Sequence, residues 1–225
     1  METLEKPISK TSKRKPTKRD PEASRQALID ATLDTIAEIG FTDTTVSSII
    51  QRAGLSRGMI HLHFGGKDNL LTSAAKHFSD EYYAEMDRQI ALAKASPQDI
   101  IMTVVSADLS EALLNERSTN IWHAFRGVAS SNPGIAKFSS TQDERLQTTI
   151  LRAFEQIAEE EGLDNASDVA RDATFGTLAL LEGMWVHFLS DKRGFSRDNA
   201  ISLIRRFLTG LFPGHFALTA NIQIS

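Results

Sequence analysis

The most informative segment runs from Phe41 to Leu71 and reads FTDTTVSSIIQRAGLSRGMIHLHFGGKDNLL. Its apolar residues recur at helical spacing in two short runs, and Gly54 between them is typical of the left-handed residue that ends a helix. Thr45 and Ser56 precede the two runs, where a hydroxyl can cap a helix N-terminus. A further helix is expected to begin near Lys67. This spacing predicts a helix-turn-helix unit.

The second short helix, predicted over residues 57–63, has two faces. Its inner side is expected to consist of Met59, Ile60 and Phe64. The outward-facing residues are then Arg57, Gly58, His61 and Leu62. In helix-turn-helix proteins this helix lies in the major groove with its first residues at base edges. Arg57 is therefore expected to read bases, and Gly58 to allow a close approach of the backbone.

Several residues around this helix are suited to contact DNA phosphates. Lys67 stands at the start of a helix, whose free amide groups also attract anions. Thr45 and Ser47 could act in the same way. His61 and His63 are expected to contact phosphate or to pack, and they are not a metal pair, because residues i and i+2 lie on different helix faces. The candidate DNA contacts are Thr45, Ser47, Ser56, Arg57, Gly58, His61, His63 and Lys67.

The pattern TTVSSII-x-RAGLS-RGMIHLHF-x-x-K-x-NLL resembles the DNA-binding region of the TetR family of repressors, over about residues 25–71. The resemblance implies DNA contacts at Thr45, Arg57, Gly58, His63 and Lys67. It implies core roles for Ile49, Ala53, Gly54 and Phe64. This chain departs from the family at His61, where most members have a phosphate-binding tyrosine. The alternative interpretation of the segment is a helical hairpin in an all-α enzyme or scaffold.

Composition narrows the class of protein. The chain has 225 residues, of which 41% are hydrophobic, an ordinary value for a globular protein with a buried core. It has no cysteine, so disulfides, thiolate metal sites and thiol nucleophiles are excluded. No stretch approaches the roughly 18 apolar residues of a membrane span, and the N-terminus lacks the apolar core of a signal peptide. We therefore expect no membrane partner and a cytoplasmic location.

Charge is distributed unevenly along the chain. Residues 1–76 carry twelve Lys/Arg against nine Asp/Glu, whereas the remaining residues carry thirteen against twenty. A basic N-terminal part suits a polyanion, because neutralised phosphates release counterions and so supply affinity. Residues 1–24 are polar and contain three prolines. We expect them to form a disordered arm that either tracks DNA or is an idle solvated extension.

From Arg25 onward the chain has a helical period without sustained strand alternation, which predicts an all-α fold of about nine helices. The first helix should end at Gly40. The later helices are predicted at about 46–53, 57–63, 67–95, 97–115, 118–131, 134–161, 167–191 and 197–211. The predicted domains are the arm at 1–24, a helix-turn-helix domain at 25–71, an effector-binding and dimerisation domain at 72–213 and a tail at 214–225.

The last two long helices are predicted to form a homodimer interface. Both are apolar on more than one face, which the edge of a single domain does not need. Gly176, Ala179 and Gly183 place small residues on one face of the first, where they permit a close helix approach. The resemblance to the TetR family implies the same four-helix interface.

The helix at 167–191 also carries a carboxylate inside an apolar and aromatic stripe, formed by Phe175, Leu178, Glu182, Trp185 and Leu189. Burying an unpaired carboxylate is costly, so Glu182 is expected to meet a cation, a hydrogen-bond donor or water. Trp122 and Phe125 share one side of the helix at 118–131. Aromatic faces with one acidic group suit a quaternary ammonium through cation–π attraction, and plain core packing is the alternative interpretation.

Three longer segments, IWHAFRGVASSNP, ERLQTTILRAF and LEGMWVHFLSDKRGFSRDNAISLIRRFL, are similar to the choline-responsive, BetI-like branch of the TetR family. This similarity implies an effector pocket lined by Trp122, Phe125, Glu182 and Trp185. It also implies that the small-molecule effector is choline or another quaternary amine. Arg126 beside the stripe would instead suit a carboxylate or a phosphate.

The sequence contains no catalytic motif, phosphate-binding glycine loop or metal-spaced cluster, so no catalytic residue, cofactor or metal is expected. It predicts a ligand-responsive repressor that binds double-stranded operator DNA and releases it when the effector binds. Two alternatives from other classes remain. One is an all-helical enzyme, for which only Glu182, His123 and His187 are available, and the other is a helical interaction protein that does not bind DNA.

Overall fold

The computed structural model describes residues 20–93, 96–139 and 144–217. These residues form eleven α-helices and one short 3-10 turn at Ala129–Ser131, and no strand. The helices are α1 Pro21–Asp43, α2 Val46–Ala53, α3 Arg57–Phe64, α4 Lys67–Leu92, α5 Pro97–Asp108, α6 Glu116–Val128, α7 Pro133–Ser139, α8 Glu144–Glu160, α9 Ala166–Ser190, α10 Arg197–Leu211 and α11 Pro213–Phe216. The predicted all-α fold is confirmed. Residues 1–19 of the predicted arm and residues 218–225 of the predicted tail lie outside the described residues.

Helix α1 begins four residues earlier than the sequence predicts. The side chain of Asp20 accepts a hydrogen bond from the backbone N–H of Glu22 at 3.0 Å, and Pro21 occupies the first helical position. Both features favour a helix start, and residues 21–24, which the sequence assigns to the arm, belong to α1. Gly40 interrupts the helix with φ 81°, as its position in the apolar run predicts.

Two predicted helices differ from those in the structure. The helix predicted at 97–115 ends at Asp108, and Asn115 then caps α6 by accepting a hydrogen bond from the backbone N–H of Ser118 at 2.9 Å. The helix predicted at 134–161 corresponds to two helices, α7 and α8. In the predicted tail, Phe216 of α11 is buried against Phe154 of α8, because the short helix brings its ring onto the C-terminal core.

The buried side chains form two cores. The core of the helix-turn-helix unit consists of Leu28, Ile29, Ala31, Leu33, Ile36, Ile49, Ile60, Phe64, Leu70, Leu71, Ala74, Ala75, Ile121, Phe125 and Ile135. The last three belong to α6 and α7, so the unit shares its core with the C-terminal half instead of ending in a separate domain surface. The second core consists of buried side chains from α4, α5, α8, α9, α10 and α11 and from the segment between α5 and α6.

Polar contacts also fasten α6 to α1. The side-chain amide of Asn120 donates to the backbone carbonyl of Ala37 at 2.9 Å, and Arg117 pairs with Asp34 at 2.8 Å. Among the described helices, none combines the length and the apolar character needed to cross a membrane.

Candidate functional site

The turn between α2 and α3 has the geometry that the sequence predicts. Gly54 adopts the left-handed conformation with φ 62° and ψ 31°, and the backbone N–H of Leu55 donates to the carbonyl of Ile50 at 3.1 Å. At the start of α2 the Thr45 hydroxyl accepts a hydrogen bond from the backbone N–H of Ser48 at 3.1 Å. In return, the Ser48 hydroxyl accepts one from the backbone N–H of Thr45 at 2.9 Å. This reciprocal cap fixes the start of α2.

Helix α3 presents a mostly polar outer face. Its buried side chains are Ile60 and Phe64, and its exposed positions are Arg57, Gly58, His61 and Leu62, which is the predicted division. Ser56 occupies the predicted cap position, but its hydroxyl makes no capping hydrogen bond and is exposed. The hydroxyl is therefore accessible to a ligand such as a phosphate.

The remaining candidate DNA contacts surround α3. Thr45 and Ser47 are exposed at the start of α2, although the Thr45 hydroxyl already bonds with Ser48. Lys67 is the first residue of α4, and Gly66 before it provides no side-chain cap, so the first amide groups of α4 face outward without one. His63 is half-buried, and its Nε2 is buried without a hydrogen-bond partner among the described residues. A phosphate contact by His63 would therefore have to use Nδ1.

A cavity of about 80 Å³ lies in the C-terminal half. It is lined by Phe78, Ser79, Tyr82, Tyr83, Asp108, Trp122, Phe138, Leu146, Leu178, Leu181, Glu182 and Trp185. The structure thus brings together three of the four predicted ligand-binding residues, namely Trp122, Glu182 and Trp185. Phe175, which shares the predicted stripe with Glu182, is instead 77% exposed on the outer surface of α9.

Phe125 does not line this cavity, which corrects its predicted place. Its ring is buried in the core of the helix-turn-helix unit, with centroids 6.3 Å from Phe41 and 6.4 Å from Phe78. Trp122 and Phe125 lie one turn apart on α6, and the helix is packed between α1 and α9. The two rings therefore contact different neighbours, although they share one side of the helix in sequence terms.

Asp108 is a cavity residue that the sequence analysis missed. It is 4% exposed, accepts a hydrogen bond from the Tyr82 hydroxyl at 2.5 Å and accepts another from Nε1 of Trp185 at 2.9 Å. Burial raises the pKa of its carboxyl to about 6, although the two hydrogen bonds act to lower it. The two hydrogen bonds thus hold the carboxyl group in place within the cavity lining.

A sequence signal for Asp108 existed. It follows Ile101, Val104 and Val105 on the buried face of α5, at successive steps of three, one and three residues. This is the same pattern of a carboxylate within an apolar stripe that singled out Glu182. A buried carboxylate of this kind always needs donors, and here the donors come from α4 and α9.

Four aromatic rings share the cavity lining with Asp108. The Trp122 and Trp185 ring centroids are 5.6 Å apart, those of Tyr82 and Trp185 are 6.2 Å apart, and those of Tyr82 and Tyr83 are 5.0 Å apart. All four rings line the cavity. We refer to these four rings, together with the Asp108 carboxyl group in the same lining, as the aromatic cage. Ring faces and a carboxylate in one cavity can attract a cation together.

Glu182 has the cationic partner that the sequence predicts. Its carboxylate forms an ion pair with the Arg126 guanidinium, and both side chains are about one-third exposed. The Arg126 Cζ also lies 5.2 Å from the ring centroid of Trp122. The charge of Arg126 at the edge of the cavity is therefore balanced by Glu182.

One of the small residues on α9 serves contacts within the chain. A Cβ at Gly176 would lie 2.6 Å from Cζ of Phe207 on α10, so this glycine permits the packing of α10 on α9 in one protomer. This packing within one chain is a role that the sequence does not predict for Gly176, whose predicted role in an approach between protomers stays a prediction. Among the described residues, no cluster of three or more His, Asp or Glu side chains could hold a metal ion.

The chain matches two family profiles. Residues 28–74 match the profile of bacterial regulatory proteins of the TetR family, and residues 97–213 match that of the C-terminal domain of BetI-type transcriptional repressors. A relative from Stenotrophomonas maltophilia, the HTH-type transcriptional regulator BetI, is 30% identical over 162 residues, which cover 72% of this chain and 79% of the relative.

Solved structures show the same fold. A presumed transcriptional regulator from Pseudomonas aeruginosa PAO1 superposes with a TM-score of 0.75 at 25% identity, covering 88% of this chain and 95% of that one. A regulator from Saccharomonospora viridis, solved in complex with choline, has a TM-score of 0.67 at 22% identity and covers 83% and 96% of the two chains. The helix-turn-helix geometry and these matches agree, and the chain belongs to the TetR family of transcriptional regulators, with a C-terminal domain of the BetI type.

Proposed function

We propose that this regulator represses transcription by binding operator DNA as a homodimer, and that it releases the DNA when choline or a similar compact quaternary ammonium compound enters the cavity. The observation that carries this proposal is the buried Asp108 carboxyl group within the cage of Trp122, Trp185, Tyr82 and Tyr83. The proposed ligand contacts are these five residues together with Glu182.

The hydrogen bonds of Asp108 leave its negative charge available to a quaternary ammonium, which donates no hydrogen bond. Each carboxylate oxygen already accepts a hydrogen bond, Oδ1 from Tyr82 and Oδ2 from Trp185. A cation that donates no hydrogen bonds can use the remaining negative charge without competing for these oxygens. Each aromatic face would add about 0.5–2 kcal/mol of cation–π attraction.

The size and the charge of the cavity agree with a small cation. A volume of about 80 Å³ holds roughly six water-sized groups at ~10–15 Å³ each. The alternative ligand, a carboxylate or phosphate attracted by Arg126, is disfavoured because Glu182 already pairs with that guanidinium. The choline complex of the Saccharomonospora viridis regulator supports the same ligand class.

The proposed dimer forms through α9 and α10. These helices expose three large apolar side chains, Phe175 at 77%, Val186 at 43% and Leu203 at 41%. Exposed apolar groups along two adjacent helices suit a two-fold four-helix interface. In such an interface α9 and α10 of one protomer pack on α9 and α10 of its partner. Such a dimer would carry two α3 helices to successive major grooves, roughly 34–36 Å apart.

The proposed DNA contacts are those of the helix-turn-helix unit, namely Thr45, Ser47, Ser56, Arg57, Gly58, His61, His63 and Lys67. Helix α4 would carry the effector signal, since it begins at Lys67 and contributes Phe78, Ser79, Tyr82 and Tyr83 to the cavity. The distance along the helix from Lys67 to Tyr82 is about 22 Å at 1.5 Å per residue. A ligand that shifts α4 would change the spacing of the two α3 helices. We place the protein in the cytoplasm, where DNA is accessible.

The experiment is fluorescence anisotropy with a labelled duplex from the region upstream of the gene that encodes this chain. We expect tight, salt-dependent binding that choline reverses. The matched control ligand is the uncharged isostere of choline, in which a quaternary carbon replaces the nitrogen, and it should not release the DNA. Release by both compounds would contradict the role of the positive charge. Binding that no quaternary amine reverses would contradict the proposed effector class.

A further inference from the structure

Leu62 is an exposed apolar side chain on α3. It is 74% exposed, whereas Ile60 and Phe64 of the same helix are buried. A single exposed leucine is common on protein surfaces and needs no explanation by itself. Its position on the outer face of α3, next to the exposed Arg57 and His61, is the informative feature.

Gly58 lies one turn before Leu62 on the same face of α3. A Cβ added at Gly58 would meet only Oγ of Ser56, at 3.9 Å, which is ordinary contact. The fold therefore does not require a glycine here, although glycine inside a helix is unfavourable. Since a helical side chain leans toward the helix N-terminus, Leu62 leans over the space above Gly58. We name the surface formed by these two residues the Gly58–Leu62 notch.

We propose that the Gly58–Leu62 notch reads the C5-methyl group of a thymine in the major groove. The inference rests on the DNA-binding function. The methyl group is the apolar feature by which thymine differs from other bases in that groove, and leucine is an apolar side chain without a hydrogen-bonding group. The missing side chain of Gly58 lets the base edge approach α3, and Leu62 then covers the methyl group. Arg57 beside the notch can donate hydrogen bonds to an adjacent guanine.

The test removes single methyl groups from DNA. The protein first selects a duplex from a random-sequence pool, and each thymine of that duplex is then replaced in turn by deoxyuridine, which keeps its base pairing. Anisotropy of the fluorescein-labelled duplexes gives a Kd for each replacement. The wild-type protein should bind about four-fold more weakly when the contacted thymine of one half-site is replaced, which corresponds to one buried carbon group.

The Leu62→Ala variant shows whether this side chain is responsible. It should bind the thymine duplex more weakly by a similar factor and show no further loss with uracil. Leu92→Ala is the matched control, because Leu92 is also exposed, at 72%, but lies at the far end of α4. It should keep the full thymine preference, and thermal melting should show that both variants are folded.

Two results would overturn the inference: a Leu62→Ala protein with the wild-type thymine preference, or a wild-type protein that is indifferent to every replacement. Both would leave DNA binding intact. If the protein enriches no sequence from the pool, the DNA-binding function itself is overturned together with this inference. That outcome differs from the two above, in which the protein still binds DNA.

Discussion

Phe78 lines the cavity of the C-terminal half and also packs against Phe125, with ring centroids 6.4 Å apart. Phe125 in turn meets Phe41 of α1 edge-to-face at 6.3 Å. Three rings therefore connect the cavity with the first helix of the helix-turn-helix unit. Packed rings of this kind shift between discrete arrangements, because dense cores do not deform continuously. A ligand that moves Phe78 would thus press directly on the core that positions α3.

Phe125→Leu should weaken the coupling between choline and DNA. The shorter side chain leaves the cavity lining intact but loosens the contacts with Phe78 and Phe41. We expect unchanged choline affinity, while the factor by which choline weakens DNA binding falls about five-fold, or ~1 kcal/mol of coupling. DNA anisotropy with and without choline measures this factor.

Phe154→Leu is the control for this variant. Phe154 is equally buried, but it stacks on Phe212 in the C-terminal core, with centroids 5.6 Å apart. Both substitutions should lower the free energy of unfolding by about 1–3 kcal/mol. An equal loss of coupling in the two variants would mean that general destabilisation, and not the ring contacts of Phe125, is responsible.

Asp108→Asn should reduce choline affinity roughly ten- to hundred-fold, because it removes a charged contact of about 1.5–3 kcal/mol. DNA affinity without choline should not change. Titration calorimetry measures the affinity, and the uncharged isostere should bind both proteins equally. Asp99→Asn removes the same charge from the first turn of α5, outside the cavity lining, and should bind choline normally. Normal choline binding by Asp108→Asn would contradict the proposed cation site.

Choline affinity should depend on pH with a definite sign. Burial raises the pKa of Asp108 to about 6, so the carboxylate that attracts a cation becomes the minority form below that pH. The affinity should be level above about pH 7 and should fall below pH 6 until it reaches the lower affinity of Asp108→Asn. The same raised pKa means that Asp108 stays protonated to a higher pH in the folded state than in the unfolded state. This group's contribution to stability should therefore decline as the pH rises through about 4 to 6. Asp108→Asn should lose both effects.

Arg57→Ala and Lys67→Ala should weaken DNA binding in different ways. Without Arg57 the protein should discriminate less between bases, by about 1–3 kcal/mol at one position. Without Lys67 the binding should weaken evenly across sequences, and the slope of log affinity against log salt should fall by about one. Anisotropy over a panel of duplexes and salt concentrations separates the two. An unchanged base preference in Arg57→Ala would remove this residue from base recognition.

Phe175→Glu should separate the protomers. The side chain is 77% exposed on α9, so the substitution should leave the fold of one chain intact while placing a charge in the proposed interface. Sedimentation should show a monomer, and DNA binding should weaken because the two α3 helices are no longer linked. Leu92→Glu is the control, since it introduces the same charge at an exposed apolar position at the end of α4. A dimeric Phe175→Glu protein would require another interface.

The local parts of the molecule were predictable from the sequence. The caps at Thr45 and Asn115, the left-handed Gly54 and the break at Gly40 each depend on residues within a few positions of one another. The prediction was correct for Thr45, Gly54 and Gly40, and Asn115 carried a cap signal that the sequence analysis passed over. Helix ends were therefore less accurate than helix existence, as in the helix predicted at 97–115, which ends at Asp108.

The cavity was predictable only in part. Apolar spacing placed Trp122, Glu182 and Trp185 on the sides of α6 and α9 that line the cavity, but the same spacing also included Phe175, which is exposed. It could not separate Trp122 from Phe125, since both lie on the inward side of α6 and only the neighbours of that helix differ. The partner of Glu182 was expected to exist, but its identity as Arg126 depended on how α6 and α9 meet.

The sequence by itself determined the all-helical fold, the helix-turn-helix unit and the outer face of α3, because these follow from hydrogen bonds and apolar periods within single segments. Only the tertiary structure decided the cage. Asp108 accepts hydrogen bonds from Tyr82, 26 residues earlier, and from Trp185, 77 residues later. Helices so far apart in sequence are brought together by the burial of many side chains at once, and no local pattern records which carboxyl group then meets which ring.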